Sequence, residues 1–348
     1  MSDTLISHVN GLSGRLRLNR PQALNSLHTE MVHAIADAVE TWRCDDNVSQ
    51  VIIDSGHPKA FCAGGDVRAI RELQLADDYA AADRFFADEY RMNAAIAEFP
   101  KPYIAIIDGI AMGGGLGISL HGSHRVVTER ASAAMPEMAI GFIPDVGITY
   151  TTQRLVTAEA APAPEIARFV GLTGYRLSAA DMLWAGWATH FVPSAKLADF
   201  GERADVDGID AAIEAFAADP AEAGESELAR LWPHIRDVFN RDTWAEIDAT
   251  LDDRHTHPSI VRQCNELLRS AAPTSLVAAA ELYRANAEDI DLREALANEE
   301  RLGHLVRRHP NFAEGVRAVL VDKTRNPHFD PHTTDSVDPQ PYREVLSG

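Results

Sequence analysis

The stretch Tyr103-Ile104-Ala105-Ile106-Ile107-Asp108-Gly109-Ile110-Ala111-Met112-Gly113-Gly114-Gly115-Leu116-Gly117 decides how this chain reads. It opens as an unbroken apolar run, the pattern of a short strand buried on both faces. It then passes through a glycine-rich turn towards a helix-like segment. A second segment has the same form: Gln50-Val51-Ile52-Ile53-Asp54, then Phe61-Cys62-Ala63-Gly64-Gly65-Asp66. Glycine lacks a Cβ, so its backbone can approach a ligand closely and adopt positive φ. Two such turns side by side can aim two backbone N–H groups at one carbonyl oxygen, which is an oxyanion hole. Neither segment has a G-x-G-x-x-G register or a following Gly-Lys-Ser/Thr, so phosphate-cradling loops are excluded.

Outward from these turns, residues from about 5 to 200 alternate strand-like and helical patterns, which predicts an α/β fold. Gly14 to Arg20 alternates as a strand and stops at Pro21. Thr29 to Trp42 has helical spacing, as does Ala76 to Phe99, with Phe85, Phe86, Asn93 and Ile96 on one face. Glu89 falls on that face, and Pro100 ends the pattern. Arg125 to Met135 reads as one β-like stretch. Val206 to Arg254 is rich in alanine and acidic residues and reads as helices. Pro273-Thr274-Ser275 predicts a helix start with Thr274 or Ser275 as N-cap. Further helices are expected at Ala295–Val306 and Asn311–Val321, and the tail from Asn326 as loop.

The chain has 348 residues, enough for a sizeable core. Its formal net charge of −20 argues against a nucleic-acid partner, since phosphate backbones bind basic surfaces. The three cysteines lack C-x-x-C pairing and fit a reducing compartment. No leader pattern or membrane-length apolar run is seen, so a cytoplasmic location is the expectation. The histidines are scattered: His121 and His124 are too close for a helical i, i+4 metal pair, and His255-Thr256-His257 sits in an expected loop. No metal site is expected.

Three carboxylates stand out. Glu137 follows Met135-Pro136, and Asp145 lies eight positions on, in a run with Met138, Ile140, Phe142 and Ile143. Glu89 lies on the apolar helix face. Such surroundings desolvate a carboxylate and raise its pKa. Each also has a plain structural reading: Glu137 as a first-turn helix acid, Asp145 as the N-cap of a helix from Val146, Glu89 as a rim charge.

Together, Asn19-Arg20-Pro21-Gln22-Ala23-Leu24-Asn25-Ser26-Leu27, Phe61 to Asp66, Gly113-Gly114-Gly115 and Met135-Pro136-Glu137 resemble the crotonase (enoyl-CoA hydratase/isomerase) superfamily. The resemblance implies a spiral of repeated ββα units over residues 1–200. A helical region over 201–348 would follow, with an insertion at about 201–270, C-terminal helices at about 271–325 and a loop tail. It implies an acyl-coenzyme A thioester as ligand, with no separate cofactor. Gly65 and Gly114 would supply the oxyanion-hole N–H groups. Ala23, Leu24, Ala63, Asp66, Val67 and Arg68 would line the adenine and pantetheine walls, and Arg20, Lys59 and Arg68 are candidate phosphate cations. Relatives often trimerise through the C-terminal helices.

Hydratases of this superfamily pair two glutamates. Here the second is Glu137, but Gly117 stands where the first belongs. Glu89, Gly114, Glu137 and Asp145, with Asn311-Phe312-Ala313-Glu314-Gly315, resemble instead the 3-hydroxyisobutyryl-CoA hydrolase branch, which acts in valine breakdown. That resemblance implies a thioester hydrolase with Glu137 and Asp145 catalytic and Glu89 lining the acyl pocket. The alternatives are a hydratase or isomerase using Glu137 alone, and a non-catalytic acyl-CoA binding protein.

Overall fold

The structure, a computed structural model, describes residues 4–252 and 258–348, so His255-Thr256-His257 lies outside the described residues. The strands are β1 (Leu5–Asn10), β2 (Ser13–Leu18), β3 (Gln50–Ser55), β4 (Ala60–Cys62), β5 (Tyr103–Ile107), β6 (Ile110–Met112), β7 (His124–Val127), β8 (Ser132–Ala134), β9 (Leu177–Ser178) and β10 (His190–Phe191). They form a six-stranded sheet in the order β1-β2-β3-β5-β7-β10 and a four-stranded sheet in the order β4-β6-β8-β9. Apart from the β1–β2 hairpin and the β8–β9 pair, all pairings are parallel.

The consecutive pairs β3/β4, β5/β6 and β7/β8 each send their first strand to the large sheet and their second to the small one. A helical segment follows each pair: Val67–Leu75, Gly114–Leu120 and the 3₁₀ turn Glu137–Ile140 respectively. This is the expected spiral of ββα units. The change of layer explains why Arg125 to Met135 is two strands rather than one. The chain breaks after Val127, where the Thr128 hydroxyl donates to Asp108 Oδ1 at 2.6 Å, and resumes at Ser132 in the other sheet. The same corner in the preceding unit needs Gly109. Its φ is 126°, and a Cβ there would stand 2.6 Å from the Lys59 carbonyl oxygen.

β5 is buried along its whole length, as its apolar run predicts. Ile52, Ile104, Ile106 and Val126 face Phe200, Ala204, Ile209 and Ala212 of the helices Leu197–Asp207 and Ile209–Phe216. Val51, Ile53, Ala105 and Ile107 face the main core on the other side. Polar ties reinforce the first contact: Arg15 Nε donates to Asp205 Oδ1 at 2.8 Å, and Gln50 Nε2 donates to the Ala204 carbonyl at 2.7 Å.

The helix Thr29–Arg43 buries Met31, Ile35, Val39 and Trp42. The helix Tyr79–Ala97 is capped by Asp78, which accepts from the Ala81 N–H at 3.1 Å. At the C-terminus, the helices Pro273–Ala285, Leu292–Arg307 and Pro310–Val316 turn their apolar faces onto the same core. Two expectations need correcting here. Ala272, not Thr274 or Ser275, occupies the N-cap, because Pro273 takes the first helical position where its missing N–H costs nothing. Thr274 instead accepts from Asn311 Nδ2 at 3.0 Å. The tail is not all loop: Gln340–Leu346 is helical, with Pro341 in its first turn, and Arg343 pairs with the buried Glu281 at 2.7 Å.

Candidate active site

The two glycine turns meet. Leu27 donates its N–H to the Gly64 carbonyl and accepts from Asp66 N–H, both at 2.8 Å, which leaves the Gly65 N–H outside this pairing. Gly114 begins the helix Gly114–Leu120, so its N–H has no intrahelical acceptor. Among the described residues neither N–H meets an acceptor. The two groups are neighbours: a Cβ on Gly114 would stand 3.3 Å from Gly65 N, and one on Gly64 would stand 3.7 Å from Gly114 N.

Glycines on the same helical turn make room for polar side chains. A Cβ on Gly113 would stand 2.9 Å from Glu137 Oε1, one on Gly114 2.4 Å from Glu89 Oε1, and one on Gly117 2.8 Å from Asn93 Nδ2. Glu89, Glu137 and Asp145 are therefore gathered at this helix and its neighbouring turn, and they are 2%, 6% and 4% exposed. Glu89 Oε1 and Glu137 Oε2 are buried with no hydrogen-bond partner. Burial, then the Asp145 charge, pushes both carboxyl groups well above the usual range. Burial also raises Asp145 to about 7, against the pull of its Tyr90 hydrogen bond and the Arg307 charge.

Asp145 sits on a strained turn. Tyr90 donates its hydroxyl proton to Asp145 Oδ2 at 2.7 Å. The next residue, Val146, has φ 57°, a conformation a β-branched residue adopts at a cost of roughly 1–3 kcal/mol. Two side chains hold it there, the half-buried His121 and the buried Glu299. His121 Nε2 donates to the Val146 carbonyl at 2.7 Å, and burial lowers that imidazole to about 4, keeping it neutral. Glu299 accepts from Gly147 N–H at 2.7 Å and from the Thr149 hydroxyl at 2.5 Å. The helix cap is Gly147, so Asp145 is not the N-cap. Glu89 is not a rim charge, since it is buried. Glu137 does open a 3₁₀ turn, as its first-turn reading expects. That turn is pressed from outside by the helix Pro310–Val316: a Cβ on Gly141 or on Gly315 would stand 2.4 Å from backbone of the opposing segment.

The expected wall residues lie on two joined segments flanking the Gly65 turn. Ala23, Ala63, Gly65, Asp66 and Val67 are half-buried, and Leu24 and Arg68 are exposed. Ala63 N–H donates to the Leu24 carbonyl at 3.0 Å, joining the two segments. Arg20 is a clasp between them, donating to the Ser26 carbonyl at 2.9 Å and to Asp66 Oδ2 at 2.8 Å, so its charge is already engaged. A separate cleft of about 740 Å³ lies between the outer sheet edge and the helix Leu197–Asp207, where Arg15 and Arg17 pair with Asp54 and Asp205. Among the described residues, no His, Cys, Asp and Glu are grouped to hold a metal ion, and no helix is long and apolar enough to cross a membrane.

Sequence reasoning missed Tyr90, His121 and Glu299. Tyr90 was within reach, since Phe86 and Tyr90 stand four apart on the buried helix face that already holds Glu89. Glu299 contacts the turn across 152 positions, and no local pattern marks such a partner.

Comparison with known proteins agrees with this architecture. The enoyl-CoA hydratase/isomerase family profile matches residues 13–346. The 3-hydroxyisobutyryl-CoA hydrolase, mitochondrial, of Gallus gallus is 37% identical over 344 residues, 97% of this chain and 86% of the relative. Its Homo sapiens counterpart is 36% identical over 330 residues, covering 92% and 82%. A solved structure described as a carnitinyl-CoA dehydratase from Mycobacterium thermoresistibile superposes with a TM-score of 0.90 at 37% identity, covering 100% of this chain and 97% of that one. The relatives also correct the expected cytoplasmic location, since both vertebrate proteins are described as mitochondrial. Unpaired cysteines mark a reducing environment without saying which compartment supplies it. In fold, in motif order and in overall likeness, the chain belongs to the enoyl-CoA hydratase/isomerase family.

Proposed function

We propose that this chain is an acyl-CoA thioester hydrolase that converts 3-hydroxyisobutyryl-CoA and water to 3-hydroxyisobutyrate and coenzyme A, a step of valine breakdown. The observation that carries the reading is the pair of unengaged N–H groups of Gly65 and Gly114 beside buried, partly unpartnered Glu137. A thioester oxygen held there gains negative charge as its carbonyl carbon is attacked, and fixed donors stabilise that charge more than they stabilise the substrate. Ionised Glu137 attacks the carbonyl carbon, and the C–S bond breaks to release the coenzyme thiolate. Water then cleaves the resulting mixed anhydride and restores the carboxylate. The same geometry serves Glu137 as general base on a water molecule, which adds directly to the carbonyl carbon.

Asp145 accepts the proton of the substrate's 3-hydroxyl and Glu89 lines the acyl pocket. Ala23, Leu24, Ala63, Asp66, Val67 and Arg68 border the coenzyme. Water is the only co-reactant these steps use.

The second reading is a hydratase or dehydratase, favoured by the description of the Mycobacterium thermoresistibile relative. Against it stands Gly117: a side chain there would begin 2.8 Å from both Asn93 Nδ2 and Val146 Cβ, leaving no room for a second glutamate. A thiol-release assay separates the two. Free coenzyme A from 3-hydroxyisobutyryl-CoA, with no bleaching of the crotonyl-CoA enoyl absorbance, is the expected result. Bleaching without thiol release would overturn it.

A further inference from the structure

Asn93 has no role in the chemistry above, yet it is a fully enclosed polar group at the site. It is 0% exposed, and neither its Oδ1 nor its Nδ2 has a hydrogen-bond partner among the described residues. A buried amide without partners is unfavourable, so its retention calls for a ligand group. The residue stands one helical turn beyond Glu89 on the helix Tyr79–Ala97, on the same face. It abuts Gly117 just as Glu89 abuts Gly114 and Glu137 abuts Gly113, so three polar side chains line one glycine edge. Val146, next to Asp145, meets the same Gly117 position, which brings Asn93 to the Asp145 end of the pocket.

The chemistry of a hydroxyl group then identifies the ligand. A hydroxyl donates one hydrogen and accepts through its lone pairs, whereas ionised carboxylates only accept. Asp145, which accepts from Tyr90, can only accept from the substrate hydroxyl, and the Asn93 amide can supply that hydroxyl oxygen with a donor whatever the protonation of Glu89 and Glu137. Tyr90 already donates to Asp145, and Arg307 gives its Nη2 to Asp83 and its face to the Phe86 ring 4.1 Å away, while its unpartnered Nη1 lies beside Gly303, where a Cβ would stand 2.8 Å from it, rather than at the glycine edge. We propose that Asn93 is a further substrate-binding residue, whose side-chain amide donates to the hydroxyl oxygen of a 3-hydroxyacyl thioester while Asp145 accepts that hydroxyl's proton. Asn93 thus selects for hydroxylated acyl groups. The inference rests on the hydrolase reading above and adds a specificity residue to it.

The test compares 3-hydroxyisobutyryl-CoA with isobutyryl-CoA in the wild type and in Asn93→Leu, which keeps the branched shape and removes the amide. Thiol release gives kcat/KM, and calorimetry gives the affinity of each thioester. Asn93→Leu is expected to lose on the order of 10- to 100-fold in kcat/KM and affinity for the hydroxylated thioester. It should stay within about twofold of wild type on isobutyryl-CoA. Equal losses on both thioesters, or no loss on either, would overturn the proposal. If Asn93→Leu does not unfold cooperatively, Asn93→Ala carries the same comparison. A wild type that binds both thioesters but hydrolyses neither would sink the hydrolase reading, and the affinities would still decide for or against Asn93.

Discussion

Burial and the neighbouring Asp145 charge make Glu137 reluctant to ionise, and a desolvated carboxylate that does ionise is a strong base and nucleophile. The rate should therefore follow the ionised fraction. Measured by thiol release, kcat/KM is expected to rise with pH to a midpoint well above the roughly 4 to 5 of an exposed carboxylate. A profile flat between about pH 5 and 8 would count against Glu137 as the reacting group. Glu137→Gln keeps the shape and removes the base, and should lower kcat by about 10²- to 10⁴-fold while acyl-CoA affinity survives. Asp145→Ala should penalise hydroxylated thioesters far more than plain ones, because only the former lose a hydrogen bond.

At the scale of the element, the helix Gly114–Leu120 is built around what its glycines leave out. A Cβ on Gly117 would press on Asn93 and on Val146, which is itself held in a strained conformation. Gly117→Ala is expected to lose about 1–3 kcal/mol of stability by overpacking, readable in denaturant unfolding. The Asp145 turn depends on a distant support. Glu299→Ala would leave Gly147 N–H buried and unpaired, at a cost of about 1–3 kcal/mol, and would lower kcat without contact to substrate. The sequence makes part of this legible. β5 announces itself by five consecutive apolar residues, the two glycine turns by their position after buried strands, and the helix Tyr79–Ala97 by its spacing. The split of Arg125 to Met135 between two sheets is illegible because both halves have β character and only the spiral separates them. The helix Gln340–Leu346 hides behind a proline-rich composition, though Pro341 sits where a helix tolerates it.

For the whole molecule, gathering acidic groups in the core ties stability to pH. Glu89, Glu137, Asp145 and Glu299 all hold their protons more tightly in the fold than in the unfolded chain. Their contribution is complete below the unfolded values and is lost as pH rises through the folded ones, about 7 for Asp145 and about 8 for Glu299. Glu89→Gln removes one such group, so its thermal midpoint should gain on the wild type as pH goes from about 5 to 8. An advantage that shrinks over that range would reverse the sign assigned to Glu89. The proposed chemistry depends on one contact, the grip of Gly65 and Gly114 on a thioester oxygen. Isotope-edited infrared spectroscopy of a carbonyl-labelled acyl-CoA bound to Glu137→Gln reads that contact directly. The C=O stretch is expected at lower frequency than for the same thioester in water, because two fixed donors polarise the bond; a band at or above its position in water would contradict the account.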